Sequence, residues 1–188
     1  MTTKIAEEPG DIAGAHRIHV LFDAAEIAAR VETLAAEIRD AAPVDLLVVA
    51  ILRGSFIFAA DLLRALHRAG LAPSVEFMQL ASYHSGMSSS GQVTIVKDID
   101  NHVENRDVLI IDDILESGRT LAFAKDLLAA RGARRVMSAV LIEKPVPRAV
   151  QFEADFIGFE APDHFLVGYG MDVAHKFREL PYVGIIEN

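Results

Sequence analysis

Three apolar runs of strand length constrain this chain more than any other feature. They are LLVVAIL at 46–52, VLII at 108–111 and VMSAVLI at 136–142. None alternates polar with apolar, so each needs cover on both faces, as strands of a parallel sheet flanked by helices do. Between the runs the pattern turns helical. Ile27, Val31, Leu34 and Ile38 recur at steps of four, three and four, behind a capping box of Asp23 and Glu26. A second helix carries Phe58, Leu62, Leu66 and Ala69 and stops at Gly70, and a third carries Leu121, Ala124 and Leu128 and stops at Gly132. Residues 75–81 and 93–97 read as short strands, and shorter apolar segments lie around Phe156, Leu166 and Val183. This order predicts an α/β fold: a Rossmann-like open, mainly parallel sheet with helices on both faces. One domain over 1–188 is expected, with 1–14 as a loose arm and regular structure starting near Asp23.

Composition narrows the function. The formal charge is −9, which argues against a protein that grips nucleic acid through a basic face, and taken alone also disfavours a phosphate-rich ligand. With no cysteine, disulfides and thiolate chemistry are excluded. The N-terminus lacks the apolar core of a secretory signal, and no apolar stretch is long enough to span a bilayer, so a cytoplasmic protein without membrane contact is expected. The histidines form no metal pattern: His16 and His19 fall in the arm, and His164 lies beside Phe165.

The ends of parallel strands are where such sheets bind ligands. Arg53, Asp112, Asp113 and Lys144 are all predicted at or just past such ends. The richest segment is VLIIDDILESGRTL, 108–121. A buried strand delivers two carboxylates, and a polar loop with Ser117, Gly118 and Thr120 then opens a helix. The loop and helix start offer backbone N–H groups to a terminal phosphate. The carboxylates suit sugar hydroxyls or Mg²⁺. A phosphorylated ribose satisfies both halves. The plain alternative is a solvated loop after a strand. Lys144 on its own reads as a surface lysine, and Phe165 as core packing beside Leu166 and Val167. Residues 82–91 read as a mobile lid or an ordinary hairpin tip. A P-loop nucleotidase is disfavoured because its glycine-lysine loop is absent upstream.

VLIIDDILESGRTL resembles the phosphoribosyl pyrophosphate motif of the type I phosphoribosyltransferases. Leu52-Arg53-Gly54-Ser55, Ser82-Tyr83, Lys144, the run FIGFEAPDHFLVGYGMD at 156–172 and FREL at 177–180 are similar to the hypoxanthine-guanine branch of that family. The resemblance implies a small hood subdomain beside the sheet, and transfer of 5-phosphoribose from phosphoribosyl pyrophosphate to hypoxanthine or guanine with Mg²⁺. It also implies a homodimer or homotetramer. By the same resemblance, Asp112 and Asp113 would hold the ribose hydroxyls and Mg²⁺. Glu116, Ser117, Gly118, Arg119 and Thr120 would wrap the 5′-phosphate. Leu52, Arg53 and Gly54, with a cis peptide between the first two, would form the pyrophosphate loop, which Ser82, Tyr83 and Arg178 would meet. Lys144 would donate to the purine 6-oxo group, Phe165 would stack on the base, Leu166 would offer backbone contacts, and Asp172 would border the purine and ligate a second Mg²⁺.

Glu116 departs from the aspartate that many relatives carry there, a residue thought to act as base at purine N7; the longer side chain keeps that role geometrically possible. Two other readings stay open at this point. One is a xanthine-preferring enzyme; the other is a non-catalytic member of the fold that binds nucleotide or RNA.

Overall fold

The computed structural model describes residues 17–82 and 93–187. The arm at 1–14, His16, Tyr83 and the rest of the lid segment beyond Ser82 lie outside the described residues. In chain order the elements are β1 (Arg17–Phe22), α1 (Ala24–Asp40), β2 (Leu47–Leu52), α2 (Phe56–Arg68), β3 (Ser74–Ser82) and β4 (Val93–Lys97). There follow β5 (Asp107–Leu115), α3 (Arg119–Ala130), β6 (Arg135–Glu143), β7 (Phe156–Glu160), β8 (Leu166–Val167) and β9 (Val183–Glu187).

Six strands form the main sheet in the order β4-β3-β2-β5-β6-β7. All neighbours are parallel except the edge strand β4, which runs antiparallel to β3. The apolar runs behave as their composition demands. Val48, Ala50, Leu109 and Ile111 face one core with α1 and α2. Their neighbours Leu47, Val49, Val108 and Ile110 face a second core with α3. Leu47 through Ala50 and Val108 through Ile111 are fully buried, which is why no polar alternation survives in them. The α1 capping box is present: the Asp23 carboxylate accepts from Ala25 N and Glu26 N at 2.8 Å, and the Glu26 carboxylate accepts from Asp23 N at 2.9 Å. Ile27, Val31, Leu34 and Ile38 are the buried stripe. Among the described residues no helix is long and apolar enough to cross a membrane.

A smaller antiparallel sheet, β1-β9-β8, forms the hood. Here the sequence reading needs correction. Arg17–Phe22 already form a strand, ahead of the start expected near Asp23, and His19 belongs to that strand rather than to the arm. Its imidazole lies 3.1 Å from the carboxylate of Glu187 on β9. The strand is weakly marked because it is half-exposed and pairs with the far end of the chain. Phe22 stacks on Phe159 of β7 at 4.2 Å, joining the hood to the main sheet. Leu166, Tyr169, Met171 and Val183 share the core of α1 and α2.

The end of the sheet away from the carboxylate rim is pinned by Asp107, which is fully buried at the start of β5. One oxygen accepts from Val44 N and from the Arg135 guanidinium, each at 2.9 Å, and also from Arg134. Burial pushes its pKa up, but the Val44 N–H and the two guanidiniums outweigh that and hold it below the usual carboxylate range. The charged form is therefore favoured by folding. Its stabilisation is present above about pH 4 and lost as pH falls through the lower folded value. Asp107→Asn should cost about 2 kcal/mol at neutral pH by urea unfolding. The gap from the parent protein should narrow below about pH 4, and a gap that does not change with pH would contradict this account.

Candidate active site

The connection from β2 through α2 to β3 runs toward one side of the sheet, and that from β5 through α3 to β6 toward the other. The crossovers diverge between β2 and β5, whose pairing ends at Ala50 opposite Ile111. A crevice opens at such a switch point because no helix covers both strand ends. Here it is a cavity of about 660 Å³ lined from four segments: Ile51 to Gly54, Asp112 to Leu121 except Arg119, the 146–149 loop and Asp163, with Leu80 at the side.

On the β2 side, the peptide between Leu52 and Arg53 is cis, as the resemblance implied. The chain then turns through Arg53 and Gly54 into α2. Ser55 is fully buried, and its hydroxyl donates to Ile51 O at 2.5 Å, tying the turn to the strand that feeds it. A Cβ on Gly54 would sit 1.7 Å from the Asp113 carboxylate, so any larger residue there would displace that side chain.

On the β5 side, the two acids lie inside a strand rather than past its end. Pairing with β6 carries β5 on to Leu115, beyond the point where β2 stops. Asp112 is buried and Asp113 half-buried. Asp112 Oδ1 accepts from Asp113 N, and Asp113 Oδ1 from Ile114 N, both at 3.0 Å. Burial raises the Asp112 pKa well above the usual range, and the neighbouring Asp113 charge adds to it. Burial also raises Asp113, partly opposed by its hydrogen bonds and the nearby charge of Arg178. Among the described residues no cation lies within ion-pair distance of either carboxylate.

The loop between β5 and α3 is shaped by its backbone. Gly118 is left-handed, with φ 76°, and a Cβ there would meet Val150 O at 2.6 Å. Ser117 O accepts from Val150 N at 3.1 Å, so the 144–150 segment braces the loop. No side chain of the N-cap residue closes the first turn of α3; only Ser117 Oγ accepts from Arg119 N, at 3.4 Å. The remaining first-turn N–H groups are left for an anion, and Thr120 and Leu121 line the cavity beside them. Arg119 is outside the cavity lining.

Lys144 is buried, at 6% exposure, not the solvated lysine its sequence context suggested. Its ammonium sits between Glu116 Oε1 and Asp163 Oδ1, 3.6 Å from each. Asp163 escaped the sequence reading. The only signal for it was an acid two residues before Phe165. Phe165 is 55% exposed, so it is free to meet a flat ligand, while Leu166 and Val167 beside it are buried on β8. Asp172 and Arg178 stand off the cavity wall, paired with each other at 2.5 Å. The Arg178 guanidinium also donates to Gly170 O at 2.6 Å. Ser82 ends β3, where its backbone pairs with Val93.

Comparison with known proteins agrees with this geometry. Residues 19–174 match the model of the phosphoribosyl transferase domain family. The hypoxanthine phosphoribosyltransferase of Escherichia coli K12 is 41% identical over 90% of this chain and 95% of its own. The hypoxanthine-guanine phosphoribosyltransferase of Streptococcus mutans is 40% identical over 89% and 92%. The crystal structure of a hypoxanthine phosphoribosyltransferase from Staphylococcus aureus superposes with a TM-score of 0.83 at 38% identity, covering 89% of this chain and 90% of that one.

The buried acid pair generates a test of its own. Because the Asp112 pKa is raised on folding, the free protein loses stability as pH rises from the usual carboxylate range through the folded value. Asp112→Asn removes that cost. The melting temperature of the ligand-free protein at pH 7 should rise by about 2–4 °C. A fall would mean that the carboxylate stabilises the free fold.

Proposed function

This chain belongs to the phosphoribosyl transferase family, and from that premise we propose that it serves purine salvage, transferring the 5-phosphoribosyl group of phosphoribosyl pyrophosphate to hypoxanthine and guanine to give IMP and GMP. The observation that carries this reading is the acid pair flanked by the α3 N-terminus on one side and the Arg53–Gly54 turn on the other. It matches, in order, a ribose diol, a 5′-phosphate and a pyrophosphate.

In this reading the 5′-phosphate seats on the 116–120 loop and the free N–H groups of α3. Asp112 and Asp113 accept from the 2′ and 3′ hydroxyls, which orients C1′ toward the cavity. The turn at Leu52-Arg53-Gly54 directs backbone N–H groups and the Arg53 charge to the pyrophosphate. Lys144 donates to the purine 6-oxo group, Phe165 stacks on the ring and Leu166 offers its backbone to the base edge. The C1′–O bond to pyrophosphate breaks, its electron pair leaving with pyrophosphate, while purine N9 bonds to C1′. The proton on N7 passes to Glu116, whose extra methylene lets it reach both N7 and its resting partner Lys144.

The two carboxylates fit Mg²⁺, since their oxygens are hard donors held close together and a magnesium ion completes its shell from substrate phosphates and water. Bound there, Mg²⁺ would neutralise charge on the leaving pyrophosphate. Asp172 is the carboxylate for a second ion once Arg178 turns from it to the pyrophosphate. A homo-oligomer belongs to the same reading, supported by the exposed apolar side chains Ile95 and Val96 on edge strand β4 and Phe77 on β3.

The test is to supply the protein with Mg²⁺, phosphoribosyl pyrophosphate and one base at a time. Nucleotide should form from hypoxanthine and guanine and not from adenine. Absence of product with every 6-oxopurine rejects the reading. Asp113→Asn should lower kcat/KM by about 10²-fold, and near-normal turnover would remove the acid pair from the mechanism. Lys144→Gln should raise the purine KM by about tenfold, the loss of one charge-assisted hydrogen bond, with little change for phosphoribosyl pyrophosphate. Equal rises for both substrates would place Lys144 elsewhere.

A further inference from the structure

Tyr169 lies in the hood turn that joins β8 to the C-terminal segment. It is 6% exposed and has φ 48°, a left-handed conformation that a bulky L-residue seldom holds without compensation. Its hydroxyl donates to Asp61 Oδ2 of α2 at 2.6 Å, across 108 residues of sequence. Its own N–H donates to Leu180 O at 2.9 Å. Burial first, and then the Asp61 carboxylate, push the phenol pKa upward, so the hydroxyl remains a donor throughout the working pH range.

The next residue, Gly170, lies directly against the pyrophosphate turn. A Cβ on Gly170 would stand 2.0 Å from Gly54 O, so the two backbones are in contact. Gly54 in turn lies between Gly170 and the Asp113 carboxylate. Two residues after Gly54, α2 begins at Phe56, and this is the helix that carries Asp61. The contacts close a ring from Gly54 down α2 to Asp61, across to Tyr169 and back through Gly170 to Gly54.

We propose that Tyr169 and Asp61 are positioning residues for pyrophosphate recognition: their hydrogen bond sets the hood turn that fixes Gly54, and with it the face the Arg53–Gly54 turn shows to pyrophosphate. The proposal rests on the transferase reading above. Packing alone would need no hydroxyl here, and the site has room to lose one. Asp61 and Tyr169 both line a second cavity of about 450 Å³ between α1, α2 and the segment at 179–181. Water in that cavity can solvate Asp61 when the phenol is removed, and Arg64 still donates to it at 2.7 Å. Tyr169→Phe therefore folds.

Two readouts test the ring in the full-length protein with Mg²⁺ present: steady-state KM for each substrate, and calorimetric binding of inorganic pyrophosphate. Tyr169→Phe should weaken both phosphoribosyl pyrophosphate and pyrophosphate by about fivefold, the worth of one fully coupled hydrogen bond. Hypoxanthine KM should stay within about twofold, below what such a bond is worth. Asp61→Ala should weaken them similarly, and the double variant should be no worse than either single one. The core variant Ile38→Val, which loses stability far from the ring, should leave all constants unchanged. An unchanged pyrophosphate constant in Tyr169→Phe overturns the proposal. So does an equal rise for both substrates, or the same shift in Ile38→Val. A parent protein that binds pyrophosphate, weakened by Tyr169→Phe, yet forms no nucleotide would sink the salvage reading and keep the ring; a parent that binds no pyrophosphate sinks both.

Discussion

Two adjacent carboxylates inside a central strand are the most demanding element of this structure. Burying one ionised acid in an apolar sheet is costly, and burying a second next to it adds repulsion. The surroundings follow from making that arrangement tolerable without neutralising it. The strand backbone bonds one oxygen of each acid. The residue facing Asp113 from the turn after β2 is a glycine, where a Cβ would run into the carboxylate. Arg178 reaches close enough from the hood to favour the charged form of Asp113, but it keeps its own partner in Asp172. The pair is left able to accept from a ligand, and a site that loses stability when empty gains most when filled.

The net charge of −9 conceals this local design. A phosphate-rich ligand does not need a basic protein. It needs a few placed donors, and in the proposed reading most are backbone N–H groups at the α3 start and the Arg53–Gly54 turn, which carry no formal charge. Among the described residues the one deeply buried lysine, Lys144, is held between two carboxylates, so its charge is more than offset within the site.

Much of this was readable in advance, for physical reasons. The central strands declared themselves because cover on both faces forces unbroken apolar runs, and α1 because its capping box is local. The acid pair and the loop after it were legible because they are contiguous. What could not be read depends on distant parts of the chain. β1 is half-exposed and owes its existence to β9. The reach of β5 past its acids is set by pairing with β6, not by its own residues. Lys144 looks like any strand-end lysine until Glu116 and Asp163 close on it from separate loops. The bond from Tyr169 to Asp61 has no signature at either end.

The hood has a consequence for how the molecule is made. Its first strand leaves the ribosome long before its partner β9, with Arg17 finally opposite Glu187. The main sheet, in which every pair but β2–β5 joins strands consecutive in the chain, can assemble while translation continues. β1 must wait. Since the hood supplies the turn that backs Gly54 and the arginine whose charge acts on Asp113, the nascent chain carries its acid pair in an unfinished rim until β9 has emerged. Emergence of β9 and completion of the site are one event, and a chain lacking β9 would keep most of its sheet and lose its back wall.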